Sequence, residues 1–76
     1  MKVWVLHHLD YGYTDVFAED TDVLEIPAVK EELSWLTGGY EDEREEFIEQ
    51  IERIKRQGRG SAHIEERFDI ELQEVG

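Results

Sequence analysis

Seventy-six residues without a cysteine make one small domain, 1–76, and exclude disulfide staples and thiolate metal centres. The longest apolar run is Val3–Leu6, so neither a membrane span nor a signal peptide is expected. From Asp10 to Glu49 fourteen acids face only Lys30 and Arg44, which accounts for the whole net charge of −12; such a one-sided field attracts basic partners and repels nucleic acid and anionic lipid.

Lys2 to Leu9 reads as a strand, with Val3, Trp4, Val5 and Leu6 apolar on both faces, as a central strand requires. Asp10-Tyr11-Gly12 is a turn signal. Tyr13 to Ala18 is a second strand rich in aromatic and β-branched residues, and the short spacing predicts an antiparallel hairpin with the first. Glu19 to Asp22 is a loop. Val23 to Ile26 fits either a short edge strand or an extended lead-in, because Pro27 biases Ile26 away from helix and itself suits a first helical turn. Val29, Leu33 and Leu36 then recur at helical spacing until Gly38-Gly39.

The second helix is the clearest element. Phe47, Ile48, Ile51 and Ile54 form one apolar stripe. Asp42 with Glu45 resembles a capping box. Glu49–Arg53 and Glu52–Arg56 are favourable i,i+4 pairs, and Gly58 is a natural residue just past the helix end, with a loop to Ser61. His63 to Leu72 alternates as a single further strand. Ile64, Phe68, Ile70 and Leu72 share one face with Glu66, and His63, Glu65, Arg67, Asp69 and Glu71 take the other. The elements predict an α+β fold: an antiparallel sheet of three strands, four if Val23–Ile26 adds one, with two helices packed on one face in the order β-β-(β)-α-α-β. Eight aromatics and clean periodicities outweigh the tendency of so acidic a chain to disorder.

The strongest candidate site is the acidic start of the second helix: Glu41, Asp42, Glu43, Glu45 and Glu46, continued by Glu49. A helix dipole is complemented by one or two acids. Here Glu41–Glu45, Asp42–Glu46 and Glu45–Glu49 are like-charged i,i+4 pairs that each cost stability. Carboxylates presented to a partner's Lys and Arg are therefore weighed against a merely solvated first turn. Asp20 and Asp22 extend the acidic surface. With Glu31 they match positions of a calcium loop, but Leu24, Glu25 and Pro27 break the pattern, and no metal is expected there. His7 and His8 face opposite sides of their strand. One of them with His63 and a carboxylate could make a two-His site, but a half-buried strand histidine is the commoner case. No metal or cofactor is assigned.

Trp4 and Trp35 are expected in the core. Tyr11 and Tyr13 flank a turn beside acids and are weighed between core and interface, and Tyr11 and Tyr40 are taken as the expected interface anchors. Arg53, Lys55, Arg56 and Arg59 close the helix C-terminus rather than bind phosphate. No Cys nucleophile, Ser/His/Asp arrangement or glycine-rich phosphate loop is readable, so an enzyme is not expected.

The opening Lys2-Val3-Trp4-Val5-Leu6-His7-His8, a Phe-containing strand, helices and a late strand resemble small uncharacterised bacterial and phage proteins that begin with a similar strand. The resemblance covers the first strand and the element order and departs at Pro27–Gly39. It implies a compact α+β fold and no catalytic residues.

The expected function is a small acidic binding protein whose partner is a basic, nucleic-acid-binding protein. In concrete form this is a phage-type inhibitor or DNA mimic, of the anti-restriction or anti-CRISPR kind, occupying the basic site of a host or defence protein. Asp20, Asp22, Glu41, Asp42, Glu45, Glu46 and Glu49 supply charge, and Tyr11 and Tyr40 supply anchoring. No direct contact with nucleic acid or membrane is expected, the chain is a monomer or homodimer, and the lack of cysteine suits a cytoplasmic setting. The alternative is a structural or oligomerisation module, and a third reading is acidity as adaptation to salt.

Overall fold

The computed structural model describes residues 1–36, 38–64 and 67–75; the facing expected of Glu65 and Glu66 lies outside them. The chain forms β1 (Lys2–His8), β2 (Tyr13–Ala18), a 3-10 turn (Val23–Glu25), α1 (Pro27–Trp35), α2 (Glu41–Gln57), β3 (Gly60–Ile64) and β4 (Phe68–Glu74). Among the described residues four strands make one sheet in the order β2-β1-β4-β3, antiparallel at every pairing. It is therefore an α+β fold of two hairpins joined through their inner strands, with two helices between them in sequence.

Two expectations about the strands are corrected. The first is the single strand from His63 to Leu72. It is a hairpin, so the order is β-β-α-α-β-β, and the supposed loop residues Gly60 and Ser61 already pair with Leu72 and Glu71. The alternation hides the reversal because Ile64 pairs with Phe68 and Ala62 with Ile70. Residues opposite one another in a hairpin share a face, and an even spacing keeps the apolar pattern in phase through the turn. The Arg67 N–H closes that turn on the Ile64 carbonyl at 3.2 Å. The second correction is Val23–Ile26, which adds no strand. It is a 3-10 turn whose Leu24 N–H donates to Asp22 Oδ1 at 3.2 Å.

β1 is central, as its two-sided apolar run requires. The pairings place Trp4 with Phe17 and Leu72, and Leu6 with Ile70. This sheet face joins Val29, Leu33 and Leu36 of the α1 region and Phe47, Ile51 and Ile54 of α2 in one core. The opposite face is divided: Val3, Val5 and Val16 are apolar, whereas His7, Asp69, Glu71 and His63 are polar.

The ends of α2 differ in quality. Tyr40 occupies its N-cap without a side-chain bond. Asp42 lies one residue inside the helix, too late to cap it, so the capping box is absent. At the other end Gly58 is left-handed (φ 76°) and its N–H bonds the Ile54 carbonyl at 2.8 Å. An L side chain resists this conformation. The Cβ of Gly58→Ala would also meet the end of the Lys2 side chain, which can swing away. The backbone term therefore decides the outcome, and Gly58→Ala is expected to cost about 1 kcal/mol, measured by urea denaturation.

Candidate functional site

One end of the sheet carries a cleft of about 590 Å³. Four separate segments build it. The β1–β2 turn, with Gly12 at φ 72°, contributes Asp10 and Tyr11. Tyr13 opens β2, the last turns of α1 bring Glu31, Glu32 and Trp35, and Tyr40 stands before α2. Arg67 and Phe68 arrive from the β3–β4 turn. Tyr11, Tyr13, Trp35 and Tyr40 are each more than half exposed, an unusual concentration of aromatic surface in so small a chain.

The floor is polar and well connected. His8 is buried, stacks on Tyr13 at 4.1 Å between centroids and meets the edge of Phe68 at 5.2 Å. Its Nε2 lies 2.9 Å from Asp15 Oδ2. Glu32, also buried, accepts from Arg67 Nη1 at 3.1 Å, and Arg67 Nε stands 3.9 Å from Asp10 Oδ2. A buried carboxylate left without its donor bears a desolvation cost. Arg67→Ala is therefore expected to destabilise the fold by about 1–3 kcal/mol, and adding Glu32→Gln to recover most of that. Urea melts of the single and double variants check this.

The residues expected to bind a partner fall into two regions. Tyr11 and Tyr40 line the same cleft, and Glu41 follows Tyr40 directly. Asp42, Glu45 and Glu49 are exposed on the side of α2 opposite Phe47, Ile51 and Ile54. Glu46 flanks them and accepts from Gln50 Nε2 at 3.4 Å. Arg53 Nη2 approaches Glu49 at 3.9 Å, and Glu52 pairs with Lys55 where the sequence pattern suggests Arg56. Asp20 and Asp22 are not gathered with these anchors. Asp20 lies beside Met1, Lys2 and Val3, at the other end of β1 from Tyr11, a separation of about 20 Å along the strand. Asp22 serves the 3-10 turn as its cap.

Trp35 is the principal surprise. Trp4 is buried in the core as expected, but Trp35 is 73% exposed, which corrects the expectation that both tryptophans are internal. The signal lies in the spacing: at 100° per residue Trp35 sits about 120° from Val29, off the apolar stripe, and Glu32 about 60° from it, at the stripe's edge.

The histidines occupy opposite faces. His8 forms part of the cleft floor, whereas His7 and His63 both pair with Asp69 on the open face. His7 lies 3.2 Å from Thr14 Oγ1 and 3.4 Å from Glu71 Oε1. Among the described residues no group of three or more His, Cys, Asp or Glu is placed to hold a metal ion. Nor is any described helix long and apolar enough to cross a membrane. Comparison with protein-family models, with characterised proteins and with solved structures finds no match to this chain.

Proposed function

We propose that this chain is an acidic binding protein that docks on the basic, nucleic-acid-binding surface of another protein and occupies it in place of nucleic acid. The observation that carries the reading is the continuity between cleft and helix: the aromatic wall ends at Tyr40 and the acidic face of α2 begins at Glu41. Asp42, Glu45, Glu46 and Glu49 line the outward side of α2 along about 10 Å of helix axis. One carboxylate per about 3 Å compares with one phosphate per about 1.7 Å of duplex axis, or about 3.4 Å along a single strand. A basic groove built for phosphates meets a similar charge density on α2, and the aromatics offer apolar area that phosphates lack. Steering by the −12 field makes association fast and salt-dependent. In biological terms this is an inhibitor of a host or defence protein.

Capture from lysate at low salt tests the reading. It predicts recovery of one basic nucleic-acid-binding protein, released by moderate salt and by duplex DNA. Recovery of nothing above background, or of a protein indifferent to DNA, contradicts it.

One observation favours a second reading. β2 is an edge strand, and its Val16 is largely exposed on the open face beside Val5. A second copy could cover that apolar strip, as unprotected edges invite. Sedimentation across concentrations, set beside the capture, separates the two: self-association that persists in high salt with no basic partner recovered belongs to this reading, and a monomer or homodimer that recovers one belongs to the first.

A further inference from the structure

We infer that the aromatic cleft is a receptor for an arginine side chain of the basic partner, with Tyr11, Trp35 and Tyr40 as its stacking walls and Glu31 as its free carboxylate. This inference rests on the proposed function for the existence of a basic partner, and it adds which residue of that partner is gripped and where.

Charge complementarity names the sign of the occupant. Asp10, Glu31 and Glu32 line the cleft against Arg67, leaving two negative charges uncompensated within it. Glu32 and Asp10 face Arg67, whereas Glu31 has no ion-pair partner among the described residues. An anionic ligand is repelled here, and a neutral one leaves Glu31 unused.

The wall chemistry selects a flat cation. Aromatic faces attract cations through their quadrupole, and guanidinium stacks on them while its edge still donates to a carboxylate. An ammonium is more strongly hydrated and donates as a point charge. In the cleft floor a guanidinium already meets carboxylates: Arg67, from the β3–β4 turn, donates to Glu32 of α1 and stands 3.9 Å from Asp10 of the β1–β2 turn. Its volume of about 590 Å³ lies within the range of ligand pockets and admits a side chain with its flanking backbone.

Trp35 supplies the reporter. Titration of the ¹⁵N-labelled protein with the blocked tripeptide acetyl-Gly-Arg-Gly-amide is expected to shift the Trp35 indole N–H saturably. The Trp4 indole, buried and donating to the Glu19 carbonyl at 3.1 Å, stays in place. The citrulline tripeptide, neutral but of the same shape, is expected to bind at least about ten-fold more weakly, and the lysine tripeptide about three-fold more weakly. Tyr40→Ala is expected to weaken the arginine tripeptide about three-fold, with an unchanged melting curve. Absence of a saturable shift, or an equal response to citrulline or lysine, overturns the assignment. Amide substitution of Asp42, Glu45, Glu46 and Glu49 separates this inference from its premise. It leaves the tripeptide titration unchanged but lowers capture of the partner. Intact capture by the wild type together with a failed titration overturns the arginine receptor alone.

Discussion

Replacing Asp42, Glu45, Glu46 and Glu49 by lysine is expected to weaken association with the basic partner about a thousand-fold, since each pair made by an exposed charge contributes about 0.5 kcal/mol and reversal replaces it with a comparable repulsion, about 4 kcal/mol over the four sites. Each reversal moves the net charge by two, so −12 becomes about −4 and steering fades as well. The fold is expected to survive. All four side chains are exposed, and Phe47, Ile51 and Ile54 on the opposite side are untouched. Asp42 lies in the first turn, where lysine opposes the helix dipole at a cost of about 0.3–1 kcal/mol. The Asn and Gln variants avoid that cost and remove the repulsions Asp42–Glu46 and Glu45–Glu49. They are expected to melt no lower than the wild type and still to bind about thirty-fold more weakly. Calorimetric titration with the captured partner, beside circular-dichroism melts, checks both sets. Unchanged affinity in the lysine variant would remove α2 from the interface.

Trp4→Ala is expected to cost about 3–5 kcal/mol, the range for a buried aromatic truncated in a close-packed core. Trp4 is 1% exposed, packs within the core formed by sheet and helices, and donates to the Glu19 carbonyl. A chain of 76 residues has a total stability of about 4–11 kcal/mol, so this one change removes a large share of it. Trp35→Ala, on the surface of the cleft, is expected to stay within about 0.5 kcal/mol of the wild type. Urea midpoints of the two variants decide. Equal costs would contradict the placement of the two tryptophans, and with it the assignment of Trp35 to the cleft wall.

The elements with a local signature are legible in the sequence. α2 announces itself by Phe47, Ile51 and Ile54 on one side and by Gly58 at its end, and the first hairpin by Asp10-Tyr11-Gly12. The second hairpin is not legible, because its reversal between Ile64 and Phe68 uses no glycine, proline or asparagine and keeps the apolar alternation in phase. The candidate site divides in the same way. Tyr11 and Tyr40 can be singled out by residue type and acidic surroundings. Their meeting in one cleft cannot, because Tyr40 reaches it through the packing of α1 and α2 on the sheet, and Arg67 and Phe68 reach it through the pairing of His8 with both Tyr13 and Phe68. That long-range registration brings the two turns to the same end of the sheet. Asp20 and Asp22 resemble the α2 acids by composition, but the place of Asp20 at the other end of β1 and the role of Asp22 as cap of the 3-10 turn follow from the path of the chain. Glu32 and Trp35 were accessible through helical geometry, since a single angle from Val29 separates the stripe, its edge and its outside.

The central claim is that the carboxylates of α2 take the place of nucleic acid on a basic protein. The most direct measurement is a competition titration in which this protein is added to the captured partner already bound to fluorescent duplex DNA. Stoichiometric release of the DNA is expected, abolished in the Asp42, Glu45, Glu46 and Glu49 lysine variant. A stable ternary complex that retains the DNA would contradict it.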